Sequence, residues 1–287
     1  MFYSPLRYPG GKAKLADFIK LIYERNSLIS GYYVEPYAGG ASIALSLLFN
    51  NYVSKIIIND FDKSVFAFWN SVIHDTEELC KMILDTKITM TVWKQQKEIQ
   101  NLKEEVSLLL LGFSTFFLNR TNRSGIINAG AIGGNKQMGN YKLDARFNKK
   151  DLISRIQKIG KHGNRIMLYN LDAIELIKKI SKRLPKKTLI YFDPPYYLKG
   201  KNLYVNHYKY EDHILVSQMI RGITKHKWLV SYDNENKIRK LYKENKKFIY
   251  SLNYSAGNAS TGTEVLIYHK DLIIPRGIRP TLTCNLN

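Results

Sequence analysis

Residues 189–197, LIYFDPPYY, constrain the chain most: an apolar, β-branched and aromatic run stops at an acid, two prolines and two tyrosines. The run reads as a buried strand over residues 188–193, because proline cannot continue a central strand. Two further buried strands are expected at 32–35 and 55–59, each ending at residues able to do chemistry. Between them residues 42–49 are apolar and follow a Gly pair, which suits a helix. Strand, Gly turn, helix and strand make a βαβ unit of a parallel α/β sheet, where ligands bind outside the carboxyl ends of the strands.

After Asp62 the texture turns helical over 63–117. Residues 119–148 are rich in Gly, Asn and Lys without a helical period, and helical and strand-like texture resumes over 151–183. The expected organisation is a catalytic domain formed by 1–64 and 161–287, with an inserted, mainly helical lobe over 65–160. The net charge of +20, from 44 Lys and Arg against 24 Asp and Glu, is costly in self-repulsion unless a polyanion meets it. Residues 136–187 hold 15 Lys and Arg against 4 Asp and Glu, which favours a nucleic-acid docking face over uniform solubilisation. Cys80 and Cys284 fit no disulfide framework, and neither they nor the six histidines show metal-ligand spacing, so no metal is expected. The start of the chain lacks a signal-like apolar region, and its longest apolar run, 106–118, is too short and too interrupted by Ser and Thr to span a bilayer. A cytoplasmic location, away from membranes, is the expectation.

An exocyclic amine on a flat base is a poor nucleophile, because its lone pair is delocalised into the ring. A site that alkylates such an amine needs acceptors that draw its hydrogens out of conjugation. The Asp193 carboxylate and the Pro194 carbonyl can be those acceptors, and prolines hold them in place before substrate arrives. A base removed from its stack needs an aromatic replacement for its neighbours, which Tyr196 can supply with its ring, the hydroxyl being dispensable. Alternatively the segment is a strand ending in a rigid turn, with the tyrosines as packing.

In YVEPYAGGAS, backbone can approach a ligand closely at Gly39 and Gly40, and Asp60 follows twenty residues later at the end of the next strand. An acid there can accept both ribose hydroxyls of an adenosine-type cofactor. The GxGxxG fingerprint is absent, which disfavours NAD. Alone, this segment is equally a tight βα turn; beside Asp193 it gains weight, since one sheet would present cofactor and base sites together. Lys12 could pair with a cofactor carboxylate or a DNA phosphate, or be a plain basic helix cap. Asp172 could accept from a cofactor adenine amine or serve as a helix N-cap.

In this order RYPGGK, EPYAGGAS, NDFD, LNRTNRSG and DPPY resemble the Dam-like class of DNA adenine N6 methyltransferases, from Arg7 to the closing TEVLIYHK. The resemblance implies an α/β fold: a Rossmann-like class I methyltransferase sheet with an inserted, mainly helical target-recognition lobe. It implies S-adenosylmethionine as cofactor and double-stranded DNA as partner, with a flipped adenine methylated on N6. Tyr8, Lys12, Tyr37, Gly39 and Asp60 match its cofactor contacts, joined by Asp172 and Asp193, while Asp193, Pro194 and Tyr196 match its base pocket. LNRTNRSGIINAG followed by GGNKQMGNYKLD is similar to its major-groove hairpin, or is an ordinary polar loop. Arg120, Asn122, Arg123, Asn128, Asn140 and Tyr141 are the candidate readers, since Arg pairs with guanine edges and Asn with adenine edges. Members that methylate GATC carry an aromatic and Asn-Gly-Leu arrangement and then an Arg-Tyr pair. This chain has Arg123-Ser124-Gly125-Ile126 and Asn140-Tyr141, which implies a different short site. Other functions compatible with the residues are methylation of RNA adenine or of a protein amide, and a DNA-binding module on the same fold without turnover. A cognate restriction nuclease would be a natural partner.

Overall fold

The computed structural model describes residues 3–8, 12–197, 208–254, 260–275 and 282–283; residues 9–11 of RYPGGK and Cys284 lie outside them. Along the chain, α1 (Ala16–Arg25), β1 (Gly31–Glu35), α2 (Ser42–Phe49) and β2 (Val53–Asn59) are followed by α3 (Lys63–His74), α4 (Thr76–Asp85), α5 (Met90–Asn101), α6 (Leu108–Thr121), α7 (Lys149–Gly160) and β3 (Ile166–Tyr169). Then come α8 (Ala173–Ile180), β4 (Thr188–Phe192), α9 (Tyr210–Arg221), β5 (Lys227–Asp233), α10 (Asn236–Leu241), β6 (Lys246–Tyr254), β7 (Ser260–Tyr268) and β8 (Leu282–Thr283). The chain divides into two compact units, one of Lys12–Asn59 with Leu171–Asn287, the other of Met1–Gly11 with Asp60–Asn170.

In the first unit the strands lie in the order β2-β1-β4-β5-β7-β6-β8. β1, β2, β4 and β5 are parallel, and β7 runs antiparallel between β5 and β6. All five residues of β4 are buried, as a parallel strand covered on both faces requires. The ladder ends at Phe192, one residue short of the expected end, so Asp193 is the first residue released from the sheet. From β1 the chain steps outward to β2 and later returns to β4 on the other side of β1. That reversal at the carboxyl ends of β1 and β4 is the switch point at which doubly wound sheets bind ligands.

The second unit is mainly helical. Phe68 of α3 and Phe116 of α6 stack with ring centroids 5.9 Å apart, and the Ser114 hydroxyl on α6 donates to the Gln96 carbonyl on α5 at 2.7 Å. α6 continues to Thr121, past the expected loop start at 119. The Asn119 amide does not compete with its own helix, because its Oδ1 accepts from the Arg7 backbone N–H and its Nδ2 donates to the Arg7 carbonyl, both at 2.7 Å. Together with Arg155 donating to the Ser4 carbonyl at 3.1 Å, these bonds fasten the start of the chain to the helical unit, which therefore takes in more than 65–160. Six of the fifteen cations in 136–187, namely Lys178, Lys179, Lys182, Arg183, Lys186 and Lys187, belong to the sheet unit, so that basic stretch is not a property of the insertion alone. Cys80 is a buried free thiol. Among the described residues no helix is long and apolar enough to cross a membrane.

Candidate active site

Asp193 leaves β4 at the switch point and is fixed from β5. The Ser231 hydroxyl donates to Asp193 Oδ1 at 2.6 Å and lies 2.7 Å from the Tyr191 hydroxyl. Lys12 Nζ lies 3.8 Å from Asp193 Oδ1 and donates to Glu264 Oε1 at 2.8 Å. Lys12 also donates to the Tyr196 hydroxyl, which donates to the same Glu264 oxygen, and the Tyr250 hydroxyl donates to Glu264 Oε2. The side chains of Lys12 and Glu264 are 5% and 0% exposed, whereas that of Asp193 keeps 20%, so only the last offers an oxygen to an incoming group. Burial pushes the Asp193 carboxyl up to about 6; Lys12 and the Ser231 hydroxyl oppose the rise and Glu264 adds to it. The group is thus largely a carboxylate at neutral pH, with more proton affinity than an exposed one. Pro194 is buried beside it. Tyr196 is also buried, with Lys12 Nζ 4.7 Å from its ring centroid, so its hydroxyl is engaged along with its ring.

On the β1 side, Glu35 Oε1 accepts from the Tyr33 hydroxyl at 2.9 Å, while Oε2 is buried with no hydrogen-bond partner among the described residues. Burial lifts this carboxyl to about 8; the Tyr33 hydroxyl and Ala44 amide counteract, and Asp193 contributes to the rise. In the following turn Gly39 has φ +46°, a left-handed value that favours glycine, and Ala41, at the start of α2, has the same φ. Asn59, fully buried at the end of β2, ties this turn to the α8 entry. Its Nδ2 donates to the Pro36 and Leu171 carbonyls and its Oδ1 accepts from the Leu171 N–H, all at 2.9 Å. Asp172 caps α8, accepting from the Ile174 N–H at 2.8 Å, as the capping alternative anticipates. The Tyr37 hydroxyl lies 3.0 Å from that of Tyr208.

The structure therefore gathers Lys12, Tyr37, Gly39, Asp172, Asp193, Pro194 and Tyr196 in the sheet unit. Tyr8 and Asp60 fall in the helical unit, where Asp60 Oδ1 accepts from the Asp62 N–H at 3.0 Å and the Asp60 carbonyl from Asn170 at 2.7 Å. The buried Glu35 oxygen with no hydrogen-bond partner among the described residues suits the ammonium end of an amino-acid-type cofactor, and Gly39 carries no side chain to block a backbone approach, so these residues fit S-adenosylmethionine.

In the helical unit Asn122 and Ala131 form an antiparallel bridge, which makes the loop between them a hairpin. Gly125 at its base has φ +74°, and a Cβ there would stand 2.4 Å from the Arg7 carbonyl oxygen. Two expected base readers are corrected. Asn122 is fully buried, with Nδ2 bonded to the Ile126 and Ile127 carbonyls at 3.0 and 2.7 Å and Oδ1 accepting from the Trp93 indole at 2.6 Å. Every polar atom of that amide is spent on shaping the hairpin. Arg120 is half-buried and turned inward, with Nε on the Arg146 carbonyl at 2.7 Å; burial and the nearby Arg7 and Arg155 charges push its guanidinium down to about 10. Arg123, Asn128, Asn140 and Tyr141 are exposed. Glu35, Asn59, Ser231 and Glu264 are site residues that the sequence reading does not single out. Glu35, Asn59 and Glu264 lie inside quoted motifs, EPYAGGAS, NDFD and TEVLIYHK, and for the first two an acid or amide at a strand's carboxyl end could have signalled them.

The strand order, with antiparallel β7 inserted beside β5, is that of a Rossmann-like methyltransferase sheet, and Asp193 followed by Pro-Pro-Tyr stands at its switch point. The chain belongs to the D12 class N6 adenine-specific DNA methyltransferases, whose family model matches residues 8–255. It is 22% identical over 238 residues to the Type II methyltransferase M.MjaIII of Methanocaldococcus jannaschii, covering 77% of this chain and 80% of that protein. Among solved structures it is similar to PH1948 from Pyrococcus horikoshii, with a TM-score of 0.42 at 9% identity over 92% of this chain and 85% of the other. It is also similar to the rRNA methyltransferase aviRa from Streptomyces viridochromogenes, with a TM-score of 0.38 at 11% identity over 87% and 82%. At these scores the fold class rests on the strand order.

Proposed function

We propose that the protein transfers a methyl group from S-adenosylmethionine to N6 of an adenine flipped out of double-stranded DNA, within a short site other than GATC. The observation that carries this reading is the partly open Asp193 carboxylate, held by Ser231 at the switch point while the surrounding charges are sealed. Asp193 and the Pro194 carbonyl accept the two amine hydrogens, which returns the lone pair of the nitrogen to it. The bound cofactor supplies an already activated methyl group, so no covalent enzyme intermediate is needed. Proton affinity raised by burial lets Asp193 hold the proton that the amine sheds. Tyr196 sits against the base pocket. Glu35, the Gly39 turn, Tyr37 and Asp172 hold the cofactor in the sheet unit, and Tyr8 and Asp60 are candidate contacts by resemblance alone. Arg123, Asn128, Asn140 and Tyr141 read base edges in the groove. The protein works in the cytoplasm, and a restriction nuclease of the same specificity is a fitting partner, which would make it the modification half of such a pair.

The test offers labelled S-adenosylmethionine with duplex DNA, RNA and protein in parallel. It then maps N6-methyladenine by single-molecule sequencing in a host that lacks adenine methylation. Label in DNA at one short motif other than GATC is expected. Label confined to RNA or protein, or methylation confined to GATC, would refute the corresponding part.

A further inference from the structure

Resting on the assignment of Asp193 as acceptor of the target amine, we propose that Glu264 is a positioning residue for the same reaction. One of its oxygens gathers the Lys12 ammonium and the Tyr196 hydroxyl and the other takes the Tyr250 hydroxyl, so that it holds Lys12 off Asp193 and fixes the Tyr196 ring.

The placement follows from the sheet. β7 is the strand inserted antiparallel between β5 and β6, and its register sets Glu264 opposite Asp233 on one side and Tyr250 on the other. Glu264 is completely buried, and a carboxylate there is tolerated only with close donors. Among the described residues three donors reach it, from the start of the chain, from the loop after β4 and from β6. Two of the three belong to the residues that resemblance and geometry place in the site. Lys12 is 2.8 Å from Glu264 but 3.8 Å from Asp193, so its charge is committed to Glu264 first and acts on Asp193 at a distance. An Asp193 gripped directly by the ammonium would be a weaker acceptor and would have to exchange a charged donor for a neutral amine.

The groups that face Asp193 are Lys12 from the N-terminal segment, Glu35 from β1, Tyr191 from β4, Ser231 and Tyr232 from β5, and Glu264 and Tyr250 from β7 and β6. Of these only Lys12 is a cation. Neutralising Glu264 removes a repulsive charge and redirects Lys12, and both changes ease ionisation of Asp193. Removing Lys12 does the reverse. A residue that merely packs would move neither.

Single-turnover methyl transfer to duplex DNA, with cofactor saturating, is measured across the acid limb for wild type, E264Q and K12M. Gln keeps the size and one acceptor, so the network stays filled. For E264Q the limb is expected to move to lower pH by roughly half a unit or more while the plateau rate falls about tenfold, and for K12M the limb is expected to move to higher pH. E264Q with a plateau within about twofold of wild type and an unmoved limb would overturn the proposal. Should E264Q fail to fold by circular dichroism, Y250F carries the test. It leaves the Glu264 charge less shared and Lys12 drawn more firmly to it, so the limb should rise, and a folded Y250F with an unchanged profile overturns the proposal too. D193A separates the two levels: full activity in D193A removes Asp193 as acceptor, whereas a dead D193A with a wild-type profile in E264Q removes only Glu264.

Discussion

Cofactor binding should release a proton, and Glu35 is the group that supplies it. Its carboxyl is lifted from 4.5 to about 8 and Oε2 has no partner among the described residues, so in the free enzyme at pH 7 it is about nine-tenths protonated. An ammonium brought to Oε2 favours the carboxylate and expels that proton. Affinity should therefore rise about tenfold per pH unit up to roughly 8 and level off above it, with close to one proton released per cofactor bound at pH 7. Folding stability moves oppositely. The folded carboxyl binds its proton more tightly than the unfolded one, so stability is greatest below about 4.5 and declines as pH rises towards 8, by on the order of 5 kcal/mol for this group at most. Titration calorimetry in buffers of different ionisation enthalpy reads the proton directly, and thermal unfolding at several pH values reads the stability. Glu35→Gln should abolish the proton release, weaken cofactor binding about tenfold, and raise the melting temperature relative to wild type most at alkaline pH. Binding by wild type without proton release between about pH 6.5 and 7.5 would show that Glu35 does not meet the ammonium.

Asp193→Asn should reduce transfer at least about a hundredfold while cofactor affinity stays within about tenfold, and wild-type transfer should fall as pH drops through about 6; equal loss of both binding and rate would misplace the residue. Asn122→Ala should destabilise the protein by about 2–4 kcal/mol in denaturant unfolding, since it strands the Trp93 indole and two carbonyls, whereas Arg123→Ala should leave stability within about 0.5 kcal/mol and relax preference at one base pair; the opposite pattern would exchange their roles. DNA affinity should fall with salt with a log–log slope of several units, and a nearly flat dependence would point away from a polyanionic substrate.

The sheet was legible because parallel strands are continuous apolar runs, and β1, β2 and β4 begin or end within two residues of where the runs do. Helix α2 matches its apolar stretch, 42–49, residue for residue. Less legible was anything that depends on what a side chain meets after folding. Asn122 and Arg123 are adjacent polar residues of a polar loop, yet one is fully buried and the other exposed, because the hairpin closes over the first. Glu264 sits in an apolar strand as an isolated acid, and only the antiparallel insertion of β7 reveals that it faces Lys12, 252 residues away in sequence. The first eleven residues read as part of the sheet domain because nothing in RYPGGK announces that Asn119 will bind the Arg7 backbone.

β7 is made after β6 but lies between β6 and β5, which has a consequence for synthesis on the ribosome. A nascent chain that has emerged only through Tyr254 carries Lys12, Asp193 and Tyr196 already, but β5 ends in an unpaired edge and β6 has no neighbour to join. Glu264, the nearer of the two carboxylates that face Lys12, is not yet translated. Folding of the sheet must therefore wait for a late, sequence-distant closure, the kind of step that is slow and leaves an edge open to other chains while it waits.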